Sequence, residues 1–193
     1  MRGFMIGLTA LLILVFGAGL WMKGVYGGLI LADQNVKASW AGVEAQLQRR
    51  YDLLPNLVRT AQGYAFSERE ILQAVTDARA RVGQARSIEE KISANNELGA
   101  SASKLLLAID QSPDLASNVT FVRIRDELGR AEETIAVETE RYNALTQTYN
   151  LEVDGFPSSL LARLFGFERA PSFEAVEIPG ATPVTASPRG IDS

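Results

Sequence analysis

Two stretches of this chain are dense in side chains that could bind or catalyse. One is Arg49-Arg50-Tyr51-Asp52-Leu53-Leu54-Pro55-Asn56, and the other is the pair of dipeptides Tyr142-Asn143 and Tyr149-Asn150, seven residues apart. Arginine and tyrosine are favoured anchors of protein interfaces. Inside a helical bundle the same groups can form a polar layer that fixes helix register. Both readings apply to Arg50, Tyr51, Asn56, Tyr142, Asn143, Tyr149 and Asn150. In the structural one, Arg50 and the tyrosine hydroxyls satisfy the carbonyl that Pro55 leaves without a helical donor. In the functional one, these residues line a groove that recognises a segment of a partner protein.

The residue types that are missing narrow the chemistry further. The chain has neither histidine nor cysteine. Ser-His and Cys-His nucleophilic catalysis, the usual zinc sites and the Glu-x-x-His motif of bundle di-iron centres all need one or the other. Disulfides, thiol chemistry and lipidation at an N-terminal cysteine are excluded on the same ground. The carboxylate pairs Glu132/Glu133 and Glu138/Glu140 read as the solvated face of a charged helix, and Asp110 and Asp114 as turn formers. No glycine-rich phosphate loop or EF-hand pattern occurs. The expectation is a non-enzyme with no catalytic residue, metal, cofactor or small-molecule substrate. A net charge of −4 argues against nucleic acid as a partner, because phosphate binding needs a basic face.

Residues 3 to 22 form an uncharged apolar run framed by Arg2 and Lys23. Phe4, Ile6, Leu8, Leu11 to Phe16 and Leu20 together favour insertion into a bilayer by about 3 to 6 kcal/mol. At about 1.5 Å per residue the run just spans the hydrocarbon core. A cleaved signal peptide is the rival, with Gly17-Ala18-Gly19 as a partial cleavage signal. The length of the run and the placing of Trp21 and Tyr26 at headgroup level favour an uncleaved anchor. Arg2 and the amino terminus balance Lys23 and Lys37, so the positive-inside count leaves the side of the soluble domain open.

The rest reads as helix. Val36, Trp40, Val43, Leu47, Leu54, Leu57, Ala61 and Tyr64 recur at steps of four and three, with Arg50 in one slot. The seam keeps its phase across Pro55, so a kink is expected there rather than a break. Ser67 and Glu70 form a capping box for a second helix, expected to be continuous from about Glu68 to Asp110. Ser87 and Glu90 offer a rival break near Gly83 to Ser87. Ser112-Pro113 ends that helix, and Phe121, Ile124, Leu128, Ala131, Ile135, Tyr142, Leu145 and Tyr149 form a third seam. The segment SSLLARLFGF predicts one short amphipathic helix folded over an end of the bundle. From Ala175 onward the chain is rich in Pro, Gly, Ser and Thr, and predicts a disordered tail.

The predicted fold is therefore all-α. A transmembrane anchor (1–26) precedes a bundle domain (27–174) of three long helices running up, down and up, with a short C-terminal helix, and a tail (175–193) follows. Short turns force this alternation. They place residue i of the first helix level with about i + 94 of the third, bringing Arg50 to Asn56 beside Ala144 to Asn150.

The string RRYDLLPNLV, followed by GYA, Ala78-Arg79, Asn96-Glu97-Leu98, Pro113-Asp114-Leu115 and the YN, YN and FP series between 142 and 157, resembles the LemA family. The resemblance runs from about Val36 to Phe173. It implies a single-pass bacterial membrane protein with an antiparallel bundle of long helices and no established catalytic residues. The family's tie to envelope processes, and in some relatives to magnetosome membranes, implies scaffolding. One departure is Phe66-Ser67-Glu68, where the family often has His-Glu after GYA.

Two functions follow as expectations. The first is a membrane-anchored scaffold in the cytoplasmic (inner) membrane that self-associates or organises envelope proteins. The second is an adaptor or regulator of a membrane enzyme, such as a quality-control protease. The expected partners are the lipid bilayer and either other proteins or further copies of the chain.

Overall fold

The computed structural model describes residues 2–63 and 68–174, and the described part is helical with no strand. The helices are α1 (Arg2–Gly63), α2 (Arg69–Gln84), α3 (Ile88–Asp110), the single turn α4 (Pro113–Ala116), α5 (Val119–Asp154) and α6 (Ser158–Phe165). The all-α class with one long apolar N-terminal helix is as the sequence predicts. Ser67 and the tail from Ala175 lie outside the described residues, and α2 has Glu68 at its N-cap position with no side-chain cap bond, in place of the expected Ser67–Glu70 box.

Helix α1 is unbroken from Arg2 to Gly63, with Pro55 inside it. Its apolar stretch is long enough to cross a membrane. Leu11, Leu12, Ile13, Leu14, Val15, Phe16 and Leu20 are all exposed along it.

The described residues fall into two compact units, one of 2–41 with 140–172 and the other of 42–139 with 173 and 174. In the second unit the core is Leu54, Leu57 and Ala61 of α1, Leu72, Val75 and Ala78 of α2, Leu98, Ala102, Leu105 and Ile109 of α3, with Leu115, Phe121, Ile124 and Leu128. These positions follow the three- and four-residue steps of amphipathic helices. Leu72 takes the buried place expected for Ile71, which is only half-buried.

The second helix differs from expectation, since α2 and α3 are separate. Ala85 is extended, with φ −64° and ψ 128°. Ser87 then caps α3, its Oγ accepting the Glu90 N–H at 3.1 Å. The Glu90 carboxylate accepts the N–H groups of Arg86 at 2.7 Å and Ser87 at 3.3 Å. This reciprocal cap satisfies donors that a helix start otherwise leaves open. The one-position drift of the apolar pattern marks a break rather than a slow mismatch of periods.

That break adds a reversal of chain direction, and it overturns the level arithmetic. In the second unit α1 runs parallel to α3, with Glu44 paired to Lys91 and Arg50 to Asn95. It runs antiparallel to α5, where Arg50 meets Glu132 and Gly42 approaches Glu138. Arg81 pairs with Glu97 across the α2–α3 hairpin, and Asp110 with Arg125 between α3 and α5.

In the first unit α1 and α5 are likewise antiparallel. Trp40 packs on Tyr142 with ring centroids 5.3 Å apart, and Gly28 lies against Glu152. Leu29, Val36, Thr146, Tyr149, Val153, Leu161 and Ala162 are buried. Helix α5 ends at a site only glycine fits, because a Cβ on Gly155 would lie 2.7 Å from the Leu151 carbonyl oxygen. Gly166 closes α6 in the left-handed region at φ 74°, and the Phe167 N–H bonds back to the Ala162 carbonyl at 2.9 Å.

Candidate functional site

The seven residues singled out in the sequence separate into two clusters, one in each unit. The first is built on Arg50. Its slot in the α1 seam points the side chain into the second unit, where Arg50 is 4% exposed. One Nη donates to the Glu132 carboxylate at 3.2 and 3.4 Å. The other donates to the Asn95 carbonyl at 2.6 Å and to its Oδ1 at 3.3 Å. Asn95 is itself buried and held by its Nδ2 donating to the Lys91 carbonyl at 2.8 Å.

A buried guanidinium is costly unless paired and hydrogen-bonded. Here a carboxylate from α5 and a carbonyl from α3 meet it, so one side chain ties three helices together. Tyr51, next in sequence, carries the Arg79 guanidinium 4.2 Å above its ring. Asn56 is exposed, and its Oδ1 accepts from Arg59. With Arg59, Thr60, Arg123 and Glu127 it lines an open cleft between α1 and α5.

The second cluster lies on α5. The Tyr142 hydroxyl donates to the Pro171 carbonyl at 2.6 Å and the Tyr149 hydroxyl to the Glu168 carbonyl at 2.8 Å. Asn150 makes a two-way pair with Ala170, its Nδ2 donating to the carbonyl and its Oδ1 accepting the N–H, both at 2.9 Å. Asn143 follows Tyr142 on the helix and is half-buried.

Tyrosines seven apart lie on one face of a helix, so Tyr142, Tyr149 and Asn150 present a ladder of polar groups. The chain's own segment 168–171, irregular and just beyond α6, occupies it. Burial, followed by the nearby charges of Asp33 and Glu168, pushes the Tyr149 hydroxyl above the usual phenol pKa.

Arg50 and the tyrosines thus do not share one layer, because the α2–α3 hairpin changes which part of α5 lies beside each part of α1. Sequence reasoning missed Glu132, which looked like one of two surface carboxylates, and Asn95, which had no distinguishing neighbour. It also missed the segment 168–171. Its only signal is Pro171 in a stretch without helical periodicity, bracketed by Phe167 and Phe173.

Comparison with known proteins supplies the remaining evidence. The profile of the LemA family matches residues 39–186. Magnetosome protein MamQ 2 and magnetosome protein MamQ 1 of Paramagnetospirillum magneticum (strain ATCC 700264 / AMB-1) are each 26% identical over 203 residues, covering 92% of this chain and 74% of the relative. Magnetosome protein MamQ of Magnetospirillum gryphiswaldense is 24% identical over 206 residues, 93% of this chain and 75% of the relative.

Proposed function

Since this chain belongs to the LemA family, we propose that it is a single-pass, non-catalytic scaffold of the bacterial cytoplasmic membrane, which self-associates or organises envelope proteins. The observation that carries this reading is the exposed run Leu11 to Phe16 with Leu20 on a helix that continues without a break to Gly63. An apolar surface of that extent is not left in water by a folded chain. A bilayer covers it at the length α1 provides. The length of the apolar run, with Trp21 and Tyr26 at headgroup level, supports a retained anchor over a cleaved leader.

The non-catalytic part is supported by how the polar residues are used. Arg50 is committed to Glu132 and Asn95, and Tyr142, Tyr149 and Asn150 to the backbone of 168–171. These groups hold the protein's own elements in register. The bundle then presents its exposed helix faces to other proteins or to further copies of itself.

Two measurements test the proposal. Alkaline carbonate extraction of membranes should leave the full chain in the pellet; release of the intact chain into the supernatant would contradict the anchor. Donor- and acceptor-labelled copies reconstituted together in vesicles should show energy transfer that persists on dilution with lipid. Transfer that falls to the level of random encounter would contradict self-association.

A further inference from the structure

The C-terminal end of the first unit carries an apolar surface that its own core does not use. Helix α6 buries Leu161 and Ala162, yet Leu160 is 60% and Leu164 72% exposed, four residues apart and so on one face. Phe156, in the turn before α6, is 84% exposed, and Phe165 is half exposed. Arg163 stands exposed beside this face. A soluble surface seldom carries so many large apolar side chains within one short helix and its preceding turn.

The position of α6 says what covers it. Phe165 packs tilted, and Phe167 edge-on, against Tyr26 of α1, with ring centroids 4.6 and 6.1 Å apart. Tyr26 follows Met22, the end of the apolar run, by one helical turn, about 6 Å along the axis. The headgroup layer on each side of a bilayer is about 5 to 8 Å thick, which places Tyr26 within it when residues 3 to 22 span the hydrocarbon. Trp21 lies at the boundary, as interfacial aromatics do. The Phe165 contact, with that of Phe167 just beyond Gly166, holds the end of α6 at that same depth.

We infer that α6 and Phe156 form a second, interfacial membrane contact, in which Phe156, Leu160 and Leu164 enter the headgroup and upper acyl region beside the anchor while Arg163 reaches toward lipid phosphate. Short amphipathic helices with an apolar face and a basic residue lie in the interface plane in this way. A long basic side chain buries its stem and keeps its charge among the headgroups. The contact clamps the bundle to the membrane surface through two points rather than one. It rests on the anchor proposed above.

The absence of cysteine makes the test direct, because one introduced cysteine carries one label. Full-length chains with Leu160→Cys, Leu164→Cys, Ile13→Cys or Arg141→Cys are labelled with an environment-sensitive fluorophore and reconstituted in phosphatidylcholine/phosphatidylglycerol vesicles containing nitroxide lipids. Arg141 is the outer control. It is exposed, and its neighbour Tyr142 packs on Trp40, about 27 Å along α1 from Met22.

Labels at 160 and 164 should be blue-shifted and quenched at least severalfold more by shallow than by deep nitroxides. The label at 13 should be quenched by deep nitroxides, and that at 141 by neither. Quenching at 13 with none at 160 and 164 overturns the interfacial helix and leaves the anchor standing. Blue-shifted but unquenched labels at 160 and 164 mean that protein, not lipid, covers the face, and also overturn it. Absence of quenching at 13 removes the anchor and this inference with it.

Discussion

Asn150 and Ala170 exchange two hydrogen bonds of 2.9 Å, side-chain amide against backbone amide, twenty residues apart. The asparagine satisfies both backbone polar groups of Ala170, which lies outside any helix or strand. With the Tyr142 and Tyr149 hydroxyls it fixes the segment that leaves α6 against α5.

Replacing Asn150 by alanine removes both bonds and leaves the Ala170 N–H without its partner. A loss of about 1 to 3 kcal/mol is expected. Hydrogen exchange should show the Ala170 amide, which donates to Asn150, losing protection while the middle of α5 keeps its own. Unchanged protection of the Ala170 amide would mean that the tyrosines hold the segment without Asn150.

Arg50 is the larger commitment. Arg50→Ala strands the Glu132 carboxylate, and should cost about 3 to 5 kcal/mol in denaturant unfolding of the detergent-solubilised full chain. The pair Arg50→Met with Glu132→Leu should cost much less, since neither charge is then left alone. Equal losses in the single and double variants would show that shape, not charge pairing, makes Arg50 necessary.

The α2–α3 hairpin depends on its cap. Ser87→Ala should destabilise by about 1 kcal/mol. The backbone N–H groups of Arg86 and Ser87 hold the Glu90 carboxylate below its usual pKa. A carboxylate lowered in the folded state contributes stability above its unfolded pKa and loses it as pH falls through the lowered value. Glu90→Gln should therefore flatten the acid limb of thermal stability. A limb as steep as in the wild type would assign the acid sensitivity to other carboxylates.

Tyr149 gives the opposite sign. Its pKa is raised in the folded chain, so its contribution is full below the ordinary phenol range and is lost as pH rises through the raised value. Tyr149→Phe should remove that alkaline loss, read as a flatter dependence of thermal stability on pH above 10, roughly the free phenol value. An unchanged slope would point to another titrating group.

Much of this was legible beforehand. Val43, Leu47, Leu54 and Leu57 are buried as their spacing predicts, Arg50 fills the slot where the seam is polar, and Pro55 lies within a continuous helix. The hairpin was visible as Ser87 and Glu90, but the apolar positions on either side nearly keep phase, so periodicity favoured continuity. Taking α2 and α3 as one helix put Arg50 beside the wrong part of α5. The segment 168–171 left no periodic trace, because its backbone is held by side chains far along the chain. The Tyr-Asn pairs could be singled out, but what they hold could not.

The most direct test of the scaffold is native mass measurement of the full-length protein released from gently solubilised membranes, with every co-eluting protein identified. The account predicts a discrete mass equal to several 21.0 kDa chains, or the chain with several envelope proteins. Tyr142→Phe, which removes one of the four hydrogen bonds holding segment 168–171 without touching the exposed helix faces, should leave that assembly intact. A single chain bound one-to-one to a membrane enzyme, and released from it by Tyr142→Phe in a still-folded protein, would contradict the scaffold and identify an adaptor.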